Sequence, residues 1–316
     1  MRAGLARATV AVFGGMKRAE LERHSEFLVA QLLGMLNGAA EGQGGSKASG
    51  RGDFAAEAIS HALRAGLGER LSERGQQAMA TSLAAHASCR ASPEGLTLVC
   101  LSQLYLLLLQ LREVAADARD LLLQGERPLL SLAASPVRQL RLAACACLWA
   151  LVLAFPSHLA PLLNVSLNRL RAAAAEAAAA KEGAPREAAT AALLGHAQAV
   201  GTLLGAMART PHGGPSSLAN AALHAAADLV AAGGAGGAAG WMLVRALLSL
   251  PTEWLSAKPR LTRLYALLKG ALASPPPEVT PKRREAVEAE LHARAHALHA
   301  LCAPSARPSS ERGSLS

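Results

Sequence analysis

"LRLAACACLWALVLAF", Leu140 to Phe155, holds no charged or strongly polar side chain from Leu142 onward. Three readings compete for it: a membrane crossing, a metal site built on its paired cysteines, or a helix in the middle of a protein. Length decides the first, since about 30 Å of hydrocarbon at about 1.5 Å per residue takes around 20 apolar residues. The run offers about 14, the span of a buried core helix. Arg138 and Arg141 close it on one side, and Pro156, Ser157 and His158 on the other. A second run, "GLTLVCLSQLYLLLLQL" (Gly95 to Leu111), is longer but carries Thr97, Ser102 and Gln103 and meets Arg112 and Glu113. Both runs are expected as helices without a solvent face.

Hydrophobic residues make up 51% of the chain but aromatics only 3%, so the apolar content is Ala and Leu, which favour helices, rather than the β-branched and aromatic residues of sheets. An all-α fold follows. At 316 residues the chain passes the size at which one compact core stops growing, which points to two domains or an open, repeated architecture. A net charge of +9 permits an acidic partner without identifying one. The five cysteines, Cys89, Cys100, Cys145, Cys147 and Cys302, are odd in number and sit mostly inside apolar helical patterns. That usage suits reduced thiols in the cytosol rather than a disulfide framework.

Helices and their punctuation account for most of the chain. Leu21, Leu28, Leu32 and Met35 form one apolar stripe between Met16 and Asn37, with Lys17, Arg18, Glu22 and Arg23 opposite. "GAAEGQGGSKASGRG" (Gly38 to Gly52) has the composition of a flexible linker, and helical patterns resume near Phe54 and Gln76. A long apolar helix ends around Leu123, and Ser135 followed by Pro136 supplies a helix start. Further helices are expected over Ser157–Lys181, Arg186–Arg209, Ser217–Ala232, Trp241–Leu250, Arg260–Ala273 and Pro281–Cys302. Gly and Pro clusters separate them: "EGAP", "TPHGGP", "GGAGGAAG", "LP" and "SPPPEVTP". The polar tail from Ala303 to Ser316 has the composition of a disordered segment.

One stretch chooses between a bundle and a solenoid. Leu140 and Arg141, then Ala144, then Cys147 and Leu148 fit the second-helix pattern of HEAT repeats, where small residues share a face and let the paired helix approach. The architecture expected is an α-α superhelix of antiparallel helix pairs, a HEAT/armadillo-like solenoid over residues 1–302. Cys145 and Cys147 are too close along a helix to share a face, and no second ligand pair stands at zinc spacing. The metal reading of the opening stretch therefore falls.

Several segments resemble consecutive pieces of the HEAT repeat-containing protein 5 family of very large helical solenoids. They are "RLAACACLWALVLAFPSHLAPLLNVSLNRL" (Arg141 to Leu170), "LLGHAQAVGTLLGAMARTPHGGP" (Leu193 to Pro215), "AGWMLVRALLSL" (Ala239 to Leu250) and, more weakly, "LARATVAVFGG" (Leu5 to Gly15). Family members are several times longer, so the chain resembles an interior piece or a truncated product. The resemblance implies a scaffold acting with clathrin-adaptor accessory proteins at endosomes and the trans-Golgi network, in endocytosis, endosome-to-Golgi retrieval and protein localisation. It implies a cytoplasmic protein, peripheral on those membranes, with no cofactor and no small-molecule substrate. No partner-contact residue carries over.

Catalytic readings lack their second halves. "GQGGSKAS" (Gly42 to Ser49) has Ser46 and Lys47, but a phosphate loop needs Ser or Thr after the lysine, where Ala48 stands, and a preceding strand. Arg51-Gly52-Asp53 matters only outside cells. No Gly-x-Ser-x-Gly elbow is present, and the chain is expected not to be an enzyme. His292 and His296 stand one turn apart with Glu288 a turn before, a metal spacing that competes with placement beside the stripe of Val287, Leu291, Leu298 and Leu301. His196 and His224 read as ordinary packing or surface residues. The alternative function is a basic solenoid that binds nucleic acid or an anionic membrane through Lys282, Arg283, Arg284, Arg260 and Arg263, with few aromatics to stack on bases. Met1 to Arg18, basic and without an acid, also has the composition of an organelle transit peptide.

Overall fold

The computed structural model describes residues 2–41, 56–210, 214–255 and 257–273, together with 288, 291 and 295. Every regular element among them is helical, and the fold is all-α, of the α-α superhelix class. The chain forms two compact units, Met1–Gly214 and Pro215–Ser316.

The first unit runs α1 (Arg2–Gly15), α2 (Arg18–Glu41), a helix from residue 56 that widens to π geometry over Ala62–Gly68, α3 (Glu73–Ser88) and α4 (Glu94–Leu111). A 3-10 turn, Arg112–Ala115, leads to α5 (Ala116–Gln124), α6 (Leu129–Leu132) and α7 (Arg138–Ala154); then follow α8 (Leu159–Ala179) and α9 (Ala184–Met207). Short loops make consecutive helices antiparallel partners: α3 packs on α4, α6 on α7, and α8 on α9. The second helices of these pairs form a row, α4 against α7 and α7 against α9. Helix α3 also packs on α2 and on α5. Successive helix pairs that stack through such a row give an α-solenoid-like fold.

Leu and Ala side chains fill the spaces between the helices. Leu83, Leu101, Leu104, Leu108, Leu148, Leu151, Leu163 and Leu204 are all fully buried, each worth roughly 1.5–3 kcal/mol on transfer from water. At the start, Phe13 of α1 lies on Gly66, where a Cβ would stand 2.6 Å from its ring. Arg70 ties the same region down by donating to the carbonyls of Phe13 and Met16.

In the second unit α10 (Ser216–Ala232) and α11 (Gly234–Leu248) pack along their length, and α12 (Thr252–Leu255) leads to α13 (Lys258–Ala273), which rests on α10. Gly233 and Gly234 make the turn at φ +69° and +53°, a left-handed conformation that only glycine adopts without strain.

Several expectations are corrected. The buried stripe of α2 is Leu21, Ser25, Val29, Leu32 and Leu33, while Met35 is 52% exposed. Helix α2 continues through Glu41, so the Gly-rich linker begins later than Gly38; residues 42–52 lie outside the described residues. The apolar helix expected to reach Leu123 stops at Leu111, where Arg112 turns at φ +51°. Glu94–Gln124 passes for a membrane crossing on length and composition alone, yet that break divides it and α4 packs between α3 and α7. Neither apolar run lacks a solvent face, because Leu106 and Leu142 are exposed. Helix α7 starts at Arg138, two residues later than Pro136 suggests; Ser135 Oγ accepts the amide of Val137 instead. "GGAGGAAG" breaks the chain only at its first two glycines. Gly240 lies inside α11, where a Cβ would meet Val230 N at 2.7 Å and Ala226 O at 2.9 Å, so these glycines serve close helix packing. Of the helix expected over Pro281–Cys302, only Glu288, Leu291 and Ala295 are described, all helical; residues 303–316 lie outside the described residues.

Candidate functional site

Helix α7 carries the repeat signature, and each of its residues has a packing role. Leu140, Ala144, Cys147 and Leu148 are buried to within 1% of full burial. The Cys147 thiol donates to the Leu101 carbonyl on α4 at 3.0 Å, whereas Cys145 interacts with Thr202 on α9. The two cysteines thus point to opposite neighbours. Arg141, 8% exposed, donates from Nη1 to the carbonyls of Ser135 at 3.0 Å and Pro136 at 2.9 Å, pinning the turn that precedes its own helix. The next second helix closes on that turn at Gly195, where a Cβ would stand 1.9 Å from the Ala133 oxygen and 2.9 Å from Arg141 Cδ.

Burial governs the thiols. It pushes Cys100 and Cys145 up to about 12 and Cys147 up as well, which suppresses the thiolate that a nucleophile or metal ligand requires. His196 on α9 is 7% exposed with no partner for Nδ1; burial, helped by the charge of Arg169, lowers it to about 4. On the paired helix α8 the hydroxyl of Ser166 is also buried without a partner. His224 is exposed, its Nδ1 2.7 Å from Arg263 Nη1. Arg260 donates to Asn220 Oδ1 and to the Trp254 carbonyl, both at 2.8 Å, and stacks on the Trp254 ring. Two of the five cations of the nucleic-acid reading therefore have partners within the second unit. Lys282, Arg283, Arg284, His292, His296, Gly42–Ser49 and Arg51-Gly52-Asp53 lie outside the described residues, and Glu288 is exposed. Among the described residues no three His, Cys, Asp or Glu side chains gather to hold a metal.

A concavity of about 420 Å³ lies between α2 and α3, walled by Glu22, Arg23, Glu26, Ser72 and Arg74. Glu22 is already engaged: it accepts the Ser72 amide at 3.0 Å and pairs with Arg18 at 3.3 Å. The bonds from Ser72, then the charge of Arg18, hold its carboxyl below the usual range.

Sequence reasoning missed the outward face of the second-helix row. Tyr105 on α4 and Trp149 on α7 are partly exposed, with ring centroids 6.3 Å apart. Arg209, just past α9, lays its guanidinium 5.7 Å from the Trp149 centroid. Leu106 beside Tyr105 is 39% exposed, and Leu142, two turns before Trp149, is 45% exposed. Gly205 of α9 looks into open space, with nothing within 4 Å of a built Cβ. The available signal was the register: each aromatic stands eleven residues past the first residue of its helix, Glu94 and Arg138. No family model, curated protein or solved structure matches the chain.

Proposed function

We propose that this chain is a non-catalytic HEAT-type scaffold in membrane trafficking. It serves endocytosis, endosome-to-Golgi retrieval and protein localisation together with clathrin-adaptor accessory proteins, as a cytoplasmic protein peripheral to endosomes and the trans-Golgi network. The scaffold part rests on one observation, the stacking of successive helix pairs through α4, α7 and α9, because such a row offers an extended surface that binds by shape without a catalytic group. The trafficking part rests on the resemblance of Arg141–Leu170, Leu193–Pro215 and Ala239–Leu250 to the HEAT repeat-containing protein 5 family.

Affinity purification of the tagged full chain from cell extract tests both parts together. Recovery of adaptor or vesicle-coat components, absent from a tag-only control, is the expected result. Their repeated absence overturns the trafficking assignment.

A further inference from the structure

We infer that the outward face of α4, α7 and α9 is a docking groove for an acidic peptide segment with large apolar side chains, centred on Trp149. The inference rests on the scaffold reading and adds the site and the partner's chemistry. Three observations carry it.

The face is unusually apolar for a surface. Leu106 and Leu142 stand 39% and 45% exposed on neighbouring helices, and the same two helices bring the Tyr105 and Trp149 rings to 6.3 Å. Trp, Tyr and Arg are the side chains enriched where protein-binding energy concentrates, Trp and Tyr because they bury much area at little conformational cost.

The face also has an unobstructed backbone position on α9. Gly205 presents open backbone one turn before Arg209, while Arg209 lies against Trp149.

Beside Trp149 the charge is positive, whereas the Leu106 edge of the face carries both Arg64 and Glu69. Helix α7 contains no acidic residue, and α4 and α9 have one each, Glu94 and Glu187, both in the first turn and far from Trp149. Arg112 and Glu113, adjacent past the end of α4, offset one another. None of the ion pairs among the described residues involves Arg209, whose guanidinium carbon lies 5.7 Å from the centre of the Trp149 ring and whose N–H donors suit a carboxylate. Three helices spaced about 8–10 Å apart span roughly 20 Å, a distance that about six extended residues cover.

Fluorescence anisotropy with the purified full chain tests this. The probe is a labelled peptide pool of about ten residues in which Asp or Glu alternates with Leu or Phe; a pool with Lys or Arg in place of the acids is the control. The acidic pool is expected to bind and to weaken as salt rises. Trp149→Ala and Arg209→Glu are each expected to lose at least about tenfold in affinity, and Gly205→Leu to lose binding by filling that open position. Arg209 and Gly205 are surface positions, so these two variants keep the test valid even if Trp149→Ala unfolds, which circular dichroism reports. Absence of binding, equal binding by Arg209→Glu and Gly205→Leu, equal binding of the basic pool, or displacement of the peptides by phosphatidylserine vesicles overturns the inference. If peptide binding fails while coat components still co-purify, the groove alone is lost; failure of both removes the scaffold reading.

Discussion

Gly195 and Gly205 are ten residues apart on α9 and have opposite reasons to be glycine. At Gly195 a methyl group would collide with the Ala133 carbonyl at 1.9 Å, so Gly195→Ala is expected to cost about 1–3 kcal/mol through displaced packing. Gly205 faces open space, and Gly205→Ala should gain about 0.5–1 kcal/mol from helix propensity alone. Urea denaturation of both variants checks the pair, and equal effects would show that α9 does not abut the Arg141 turn. His196 gives a second prediction at this scale. Its folded value of about 4 lies below the ordinary 6.5, so the unfolded chain takes up a proton before the folded one does. The stability it supports is complete above about 6.5 and is lost as the pH falls toward about 4, amounting to roughly 3 kcal/mol. His196→Leu should flatten that part of the stability profile relative to wild type; an unchanged slope means His196 is not buried neutral.

Among the elements, α4 and α7 show what a sequence reveals and what it hides. The existence of α7 was legible, since an uninterrupted apolar run of that length has no other stable form in a protein interior. So was the packing of Leu140, Ala144, Cys147 and Leu148, which follows from helical periodicity. The break after Leu111 was not legible, because Arg and Glu are good helix formers and the turn is imposed by where α5 must lie against α3. Arg112 accepts a φ of +51° and a ψ of −127° there, a conformation that costs a non-glycine residue about 1–3 kcal/mol. Arg112→Gly is accordingly expected to stabilise the first unit by about 1 kcal/mol, read as a higher melting temperature; a loss would show that the arginine side chain holds the turn. The glycines of "GGAGGAAG" misled for a related reason. Only Gly233 and Gly234 use glycine's conformational freedom, whereas Gly240 uses its lack of a side chain against Val230, and composition cannot separate those roles. Met35 left the α2 stripe because α2 packs on more than one neighbour, α3 and α4, and the face it buries runs through Val29 and Leu33 instead.

For the molecule, the all-α fold class was written in the Ala and Leu content. The Tyr105–Trp149–Arg209 surface was not, because it joins residues from three helices across a gap that only the stacking closes. The account depends on that stacking, above all on α4 lying against α7, and native thiol labelling probes it directly. Cys100 on α4 and Cys145 and Cys147 on α7 are buried in the row, while Cys89 is half-buried at the end of α3. Labelling of the native chain with a maleimide, resolved cysteine by cysteine by mass spectrometry, should modify Cys89 well before those three, which should react only when the row opens in denaturant. Modification of Cys100 and Cys147 as fast as Cys89, without denaturant, would contradict the account.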